Sequence, residues 1–228
     1  TDVLNNGIKS VYQHLNYYYP DIVIPPTYLY ISGIDYNVPS VMIDERGVVI
    51  ALDFYLSNED GIYDYVGMPR FRSLRCNPSY ITRDLAESIY LGYIERPQPQ
   101  GDVLTGMIKS GKRLYFIEAM NPSLPDSVLL GYSEKQMNWV KQHEGDVWAS
   151  LVGNDMLYAK NAELFRTYFG DGPFTQPYSQ EAPARLGEFV GLQIIRSYMT
   201  NNDVTMQEML RDNDIQQIFQ HSQYKPKS

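Results

Sequence analysis

Cysteine is nearly absent from this sequence: Cys76 is the only one in 228 residues. That excludes an internal disulfide, a thiolate zinc cluster and a CxxC redox pair, and a lone cysteine fits the cytosol and the periplasm equally. Histidine is almost as scarce. His14, His143 and His221 stand far apart, and none has a second histidine four residues away, so no helical ligand pair exists. No GxSxG elbow, Walker A loop or GxGxxG is present, and the stretch from Gly101 to Gly111 does not follow a strand-like run. There is no apolar run of about 18 residues, so no segment reads as a membrane-crossing helix. A basic-then-apolar signal segment is also missing. The chain opens at Thr1 without a Met, which suggests a trimmed N-terminus; any targeting or lipid-anchoring segment would then lie outside it. Basic residues are outnumbered, 19 Lys and Arg against 27 Asp and Glu, for a net charge of −8. Such a surface repels phosphate backbones, so nucleic-acid binding is not expected.

What is present is the material of a globular core. Hydrophobic residues make up 43% and charged residues 20%, which rules out disorder as the class. The chain holds 20 tyrosines, a residue suited to half-buried shells where the ring packs and the hydroxyl stays wet. Asp2 opens a helix to about Tyr18, with Val3, Leu4, Ile8, Val11, Tyr12 and Leu15 on one face. Three β-like runs follow, Tyr28 to Ser32, Val41 to Asp44 and Val48 to Phe54, and the last two read as a hairpin. Together they predict a small antiparallel sheet.

After Leu56 the pattern is helical. Asn77-Pro78-Ser79 opens a helix to Ile94 that Pro97 and Pro99 end, and another runs from Asp102 to Met120. Ser133 and Gln136 form a capping box for a helix through Trp139. Further helices are predicted at Gly145 to Val152, Ala162 to Phe169, Pro183 to Thr200, Thr205 to Arg211 and Asp214 to His221. No repeat or linker divides the chain. The reading is one α+β domain over 1–228, strand-rich at 28–54 and mostly helical at 79–221.

One segment has the layout of a catalytic helix without its ligands. A zincin helix carries His-Glu-x-x-His, with both imidazoles on one face and the Glu as general base. In Tyr80 to Tyr90 those slots hold Arg83, Asp84 and Glu87. Arginine keeps its proton and offers no lone pair to zinc, and a single carboxylate makes no site. Arg83 and Glu87 are spaced to pair with each other instead, in the place where metal would sit. Any helix can carry such a pair on a solvated face, so the pattern alone does not establish the ancestry.

The second half holds a series of separated motifs: Leu104-Thr105-Gly106-Met107 through Tyr115, Leu130-Gly131-Tyr132-Ser133 through Trp139, Glu144-Gly145-Asp146-Val147-Trp148, and Gly172-Pro173-Phe174-Thr175. Then come Glu181 to Gly187, Gly191 to Met199, and Ser222-Gln223-Tyr224-Lys225-Pro226. In this order they resemble the gliding-motility lipoprotein family GldB, well from Val103 to Pro226 and loosely before. The resemblance implies a lipoprotein of Bacteroidetes-type bacteria, anchored through an acylated N-terminal cysteine that Cys76 is too far inside to be. It also implies a zincin-like fold, since the family looks like a distant cousin of zinc-dependent proteases that keep both histidines.

The helix at Pro183 to Thr200 carries a strip of small residues, Ala184, Gly187 and Gly191, that admits a close neighbour. Apolar residues cover most of the rest, so the helix is expected to be central. Arg185, Glu188 and Arg196 share its polar side and need partners, with Asp84, Glu87 and Glu144 as candidate acids. In one reading these charges form an internal network, with Trp139 and Trp148 as core anchors. In the other, Arg83, Glu87, Glu144, Trp148, Arg185 and Arg196 line the old cleft and bind a ligand, peptide or glycan.

The reading adopted is a non-catalytic pseudoenzyme facing the periplasm at the cell envelope. It would bind envelope or motility partners, envelope proteins or peptidoglycan-type glycan, touch the membrane only through its lipid anchor, and need no cofactor or metal. The alternative is a hydrolase of peptides or glycans using carboxylates whose pairing exists only in three dimensions. An Arg83 paired with Glu87 or Asp84 favours the first; an open cleft with two unpaired carboxylates favours the second.

Overall fold

The computed structural model describes residues 2–57, 61–96 and 101–226. Pro97 and Pro99, expected to end a helix, lie outside the described residues, as does Thr1. The chain divides into two compact units, residues 1–96 with 117–129, and residues 97–116 with 130–228.

The first unit opens with α1 (Asp2–Tyr18). Val11 and Leu15 are fully buried, whereas Val3, placed on the same face by its spacing, is 88% exposed. The sheet follows: β1 (Thr27–Tyr30), β2 (Val41–Asp44) and β3 (Gly47–Ala51). β2 and β3 form the expected hairpin, antiparallel with Asp44 opposite Gly47. β1 corrects the all-antiparallel expectation: it pairs with β3 in parallel, Thr27 opposite Val48, in the order β1-β3-β2. The ten-residue connection from Ile31 to Ser40 carries the chain past the middle position, and β3 then returns between its neighbours. The near-continuous apolar run Gly47 to Ala51 marks that central place, since a strand covered on both faces does not alternate.

The loop after β1 is tied to the end of β3. The Asp53 carboxylate accepts backbone N–H bonds from Ser32, Gly33 and Ile34, at 2.7–3.0 Å. These bonds hold Ile34 at φ 60°, a conformation costly for a β-branched residue. Two short helices come next, α2 (Ile62–Tyr65) and α3 (Arg70–Ser73), then a turn at Pro78–Tyr80 capped by Asn77. That turn leads into α4 (Ile81–Ile89), extended by a wider turn over Tyr90–Ile94.

α5 (Val103–Met120) begins in the second unit and ends in the first, and α6 (Asp126–Leu130) follows it. α7 (Glu134–Gly153) is one helix where sequence suggested two, with the Ser133–Gln136 capping box in place. α8 (Ala162–Phe169), α9 (Leu186–Asn201), α10 (Met206–Arg211) and α11 (Ile215–Ser222) complete the chain, with Asn161, Thr205 and Asp214 capping α8, α10 and α11. α9 starts three residues later than expected, because Arg185 sits at φ 60° ahead of its first turn. It is the central helix of its unit, and the glycine strip explains how. A Cβ at Gly191 would stand 2.0 Å from the Met107 carbonyl oxygen, and one at Gly111 would stand 2.2 Å from the Gly191 carbonyl oxygen. α5 and α9 therefore cross backbone to backbone.

Candidate functional site

α4 is held from two sides. A Cβ at Gly7 would lie 2.9 Å from Thr82 Cγ2, so α1 packs directly on it. On the opposite side Ser88 Oγ donates 3.1 Å to the Val41 carbonyl of β2, and Gly92 leaves room for Ile43. This bracing fixes the residues in the degenerate slots.

The pair expected between Arg83 and Glu87 is present, and Arg83 Nη1 also bonds Asp84 Oδ1 at 3.0 Å. Arg83 Nε donates to the Leu129 carbonyl at 3.4 Å. The side chains are mostly out of solvent, 11% exposed for Arg83 and 22% for each carboxylate. The second oxygen of Asp84 accepts 2.8 Å from the Tyr55 hydroxyl, which in turn lies 2.8 Å from Ser40 Oγ. Burial pushes Asp84 above the usual carboxylate range; Arg83 opposes the shift and the neighbouring Glu87 adds to it. Tyr55 is pushed upward by burial and by the Asp84 charge, so it stays a hydrogen-bond donor. Sequence reasoning missed Tyr55 and Ser40. They lie 29 and 44 residues from Asp84, and nothing local marks them among 20 tyrosines.

Two hollows flank this cluster. The larger, about 780 Å³, lies between β2 and α4, with Met42, Val49 and Leu91 as apolar wall and Ser88, Asp84 and Glu87 beside them. Leu91 is 50% exposed there. The smaller, about 190 Å³, lies on the Tyr55 side of Asp84. Among the described residues no three His, Cys, Asp or Glu side chains converge in a group that could hold a metal ion.

Residues 1–226 match the family model described as gliding motility protein GldB. The chain belongs to the GldB family. The match takes in the first hundred residues, where the motifs alone were loose, so the cluster on α4 falls within it. The family's name marks GldB proteins as lipoproteins, which places them at the cell envelope. No helix among the described residues of this GldB-family chain is long and apolar enough to cross a membrane. No curated protein and no solved structure matches the chain.

The other anticipated residues of the GldB-family chain sit in the second unit. Arg185 is buried, and its partners differ from the acids anticipated for it. It pairs with Glu188 at 3.4 Å and Asp171 at 3.6 Å, and donates 2.7 Å to the Leu130 carbonyl. Its guanidinium stands 5.7 Å over the Tyr132 ring, whose hydroxyl donates 2.8 Å to the Ala184 carbonyl. Glu188 also takes 2.8 Å from Arg113, so one buried carboxylate serves two arginines. Glu144, buried, accepts 2.8 Å from the Tyr224 hydroxyl, and the Tyr224 ring meets Trp148 edge to face at 5.1 Å. Arg196 is half-buried on α9. The structure thus brings Arg83 to Glu87 and Glu144 to Trp148 through Tyr224, and gives Arg185 a cluster of its own.

Proposed function

We propose that this protein is a non-catalytic, lipid-anchored member of the GldB family that works at the periplasmic side of the envelope. It acts by binding an extended segment of an envelope protein in the cleft between β2 and α4. One observation supports this reading above the others: both oxygens of Asp84 are engaged, one by Arg83 and one by Tyr55, and Glu87 shares the same guanidinium. A general base needs a lone pair aimed at the proton it takes. Here the carboxylates face their partners while Met42, Val49 and Leu91 offer apolar surface to a ligand. The Arg83–Glu87 pair, at the spacing of a zincin's two histidines, then reads as the replacement for a lost ligand pair.

The test is a photo-crosslinker placed at Asp44, an exposed residue of the cleft rim, in cells making the full-length protein. A discrete adduct with one envelope protein, lost in Leu91→Arg, is the expected result. A crosslinking pattern unaffected by Leu91→Arg would count against the cleft.

The hydrolase reading has one observation in its favour, the upward shift of Asp84 beside a cleft, as befits a proton donor. It requires turnover of peptide or glycan substrates that Asp84→Asn abolishes.

A further inference from the structure

The run from Ile22 to Ile34 is the longest in the chain without a charged residue. β1 lies in its middle, at one edge of the three-stranded sheet. An edge strand leaves half of its backbone groups unpaired by the sheet, and the register fixes which half. β1 and β3 are parallel with Thr27 opposite Val48, and the Val48 N–H donates 2.9 Å to the Pro26 carbonyl. In such a ladder alternate residues turn their N–H and C=O to the same side. Pro26, Tyr28 and Tyr30 therefore face β3, while Thr27 and Leu29 face outward. The alternation continues past the strand. The Ser32 N–H turns back to the Asp53 carboxylate just after β3, at 2.9 Å, which leaves Ile31 facing outward as well. Among the described residues no hydrogen bond reaches the outward backbone groups of Thr27, Leu29 or Ile31.

The edge is also unguarded. Proteins blunt an open edge with charge, with proline inside the strand, with a bulge or with a covering element. Here Pro25 and Pro26 stand before the strand, and Asp21 and Asp35 lie outside the charge-free run. α1 is fastened to a side chain on the sheet face and not to the edge: the Tyr12 hydroxyl and Thr27 Oγ1 share a 2.5 Å hydrogen bond. Beside the edge a hollow of about 640 Å³ stays open between Ile8 and Tyr12 of α1 and Ile24 and Leu29. Tyr28, Leu29 and Ile31 are 56%, 43% and 72% exposed, an apolar surface with strand-forming side chains.

Two copies of a chain at −8 repel over most of their surfaces, but this strand offers a copy no like charge. It also matches itself. Run antiparallel with Leu29 opposite Leu29 of the copy, Thr27 stands opposite Ile31 and Tyr28 opposite Tyr30. In that register every outward group of Thr27, Leu29 and Ile31 gains a partner, and the tyrosines form aromatic cross-strand pairs. The neighbouring registers lose bonds. One sets Ile31 opposite Pro25, which has no N–H to give. The other sets Thr27 opposite Gly33, which leaves the strand at φ 82°.

We propose that β1 is a self-association edge, on which a second copy of this chain adds its own β1 antiparallel to make one continuous sheet. β1 lies across the sheet from β2, so nothing here depends on the cleft between β2 and α4.

The experiment is sedimentation equilibrium of the chain over a concentration series, with a parallel oxidative crosslink. A reversible monomer–dimer equilibrium is expected. Leu29→Pro removes an outward donor that the sheet does not use, so the thermal melt should stay near wild type. Dimerisation should nevertheless weaken roughly tenfold or more, since a donor is lost in each copy. Tyr65→Arg, exposed on α2, should leave it unchanged. Leu29→Cys should give a disulfide-linked dimer, because opposed residues stand about 5.5 Å apart at Cα. Thr27→Cys should not, being four positions along the ladder from its own copy, or roughly 14 Å. Cys76 is buried and does not compete. A lone monomer up to about 1 mM, the weak end of specific binding, would overturn the proposal. If that monomer still bound a capped peptide of residues 27–31, the edge would belong to a foreign strand instead. A dimer unaffected by Leu29→Pro and not crosslinked through Leu29→Cys would overturn it equally.

Discussion

Replacing Arg83 with Met keeps the bulk of the side chain and removes its charge. Asp84 and Glu87 then lose the guanidinium they share. Breaking a buried pair by removing one partner costs about 3–5 kcal/mol. The carboxylates here are 22% exposed, so water offsets part of the loss and about 2–3 kcal/mol is expected. In a chain of this length that lowers the melting temperature by roughly 5–10 °C. The dependence on pH is more diagnostic than the size. Asp84 is held above its ordinary value by burial, so its protonation favours the folded state. That contribution is full below the unfolded pKa and is lost as pH rises through the folded one. Arg83 is the main influence opposing the shift, and without it the folded pKa climbs further. The penalty of Arg83→Met should therefore be largest at neutral pH and shrink as pH falls toward the ordinary carboxylate range. Urea unfolding of both proteins at pH 7.5 and pH 4.5, followed by circular dichroism, measures the difference directly. A penalty below about 0.5 kcal/mol, the level of an ordinary surface change, would refute the reasoning, and so would one independent of pH.

Gly191→Ala should cost about 3 kcal/mol or more, because its methyl group meets the Met107 carbonyl at 2.0 Å and backbone must move. Gly153→Ala, with open space around it, should be neutral to slightly stabilising in the same thermal melts. Asp53→Ala should cost about 2–4 kcal/mol by orphaning the N–H groups of Ser32, Gly33 and Ile34. Burial alone would raise Asp53, but those bonds outweigh it and hold it below the usual range. The wild type should thus lose that contribution only as pH falls through the lowered folded pKa, a loss that Asp53→Ala removes from the acid unfolding curve. Tyr224→Phe should cost about 1–3 kcal/mol, since it leaves the buried Glu144 without its phenolic donor.

Local chemistry was legible in the sequence wherever it was self-contained. The Ser133–Gln136 box, the hairpin at Asp44 to Gly47 and the Arg83–Glu87 pair all depend on residues within four positions of each other. Pairing between distant segments was not. Nothing in the runs Tyr28 to Ser32 and Val48 to Phe54 states their relative direction; only the unbroken apolar character of Gly47 to Ala51 hinted that β3 lies in the middle. The acids for Arg185 were sought far away, yet Glu188 stands one turn along the same helix and Asp171 in the loop before it. The glycine strip on α9 was visible, but its partner at Gly111 needed the fold. Tyr55 and Ser40 carried no signal at all, because a hydroxyl that fastens a carboxylate can come from any loop that passes within reach.

If Asp84 is a fastened structural group beside a binding surface and not a proton-transfer group, its charge is dispensable for partner binding. The most direct measurement is yield of the Asp44 photo-crosslink in two variants, Asp84→Asn and Leu91→Arg, each compared with wild type at equal envelope levels. Asp84→Asn keeps the size of the side chain and one acceptor oxygen for Arg83 and should retain the adduct, while Leu91→Arg places a charge on the apolar wall and should reduce it at least tenfold. Loss of the adduct in Asp84→Asn with full retention in Leu91→Arg would contradict the account.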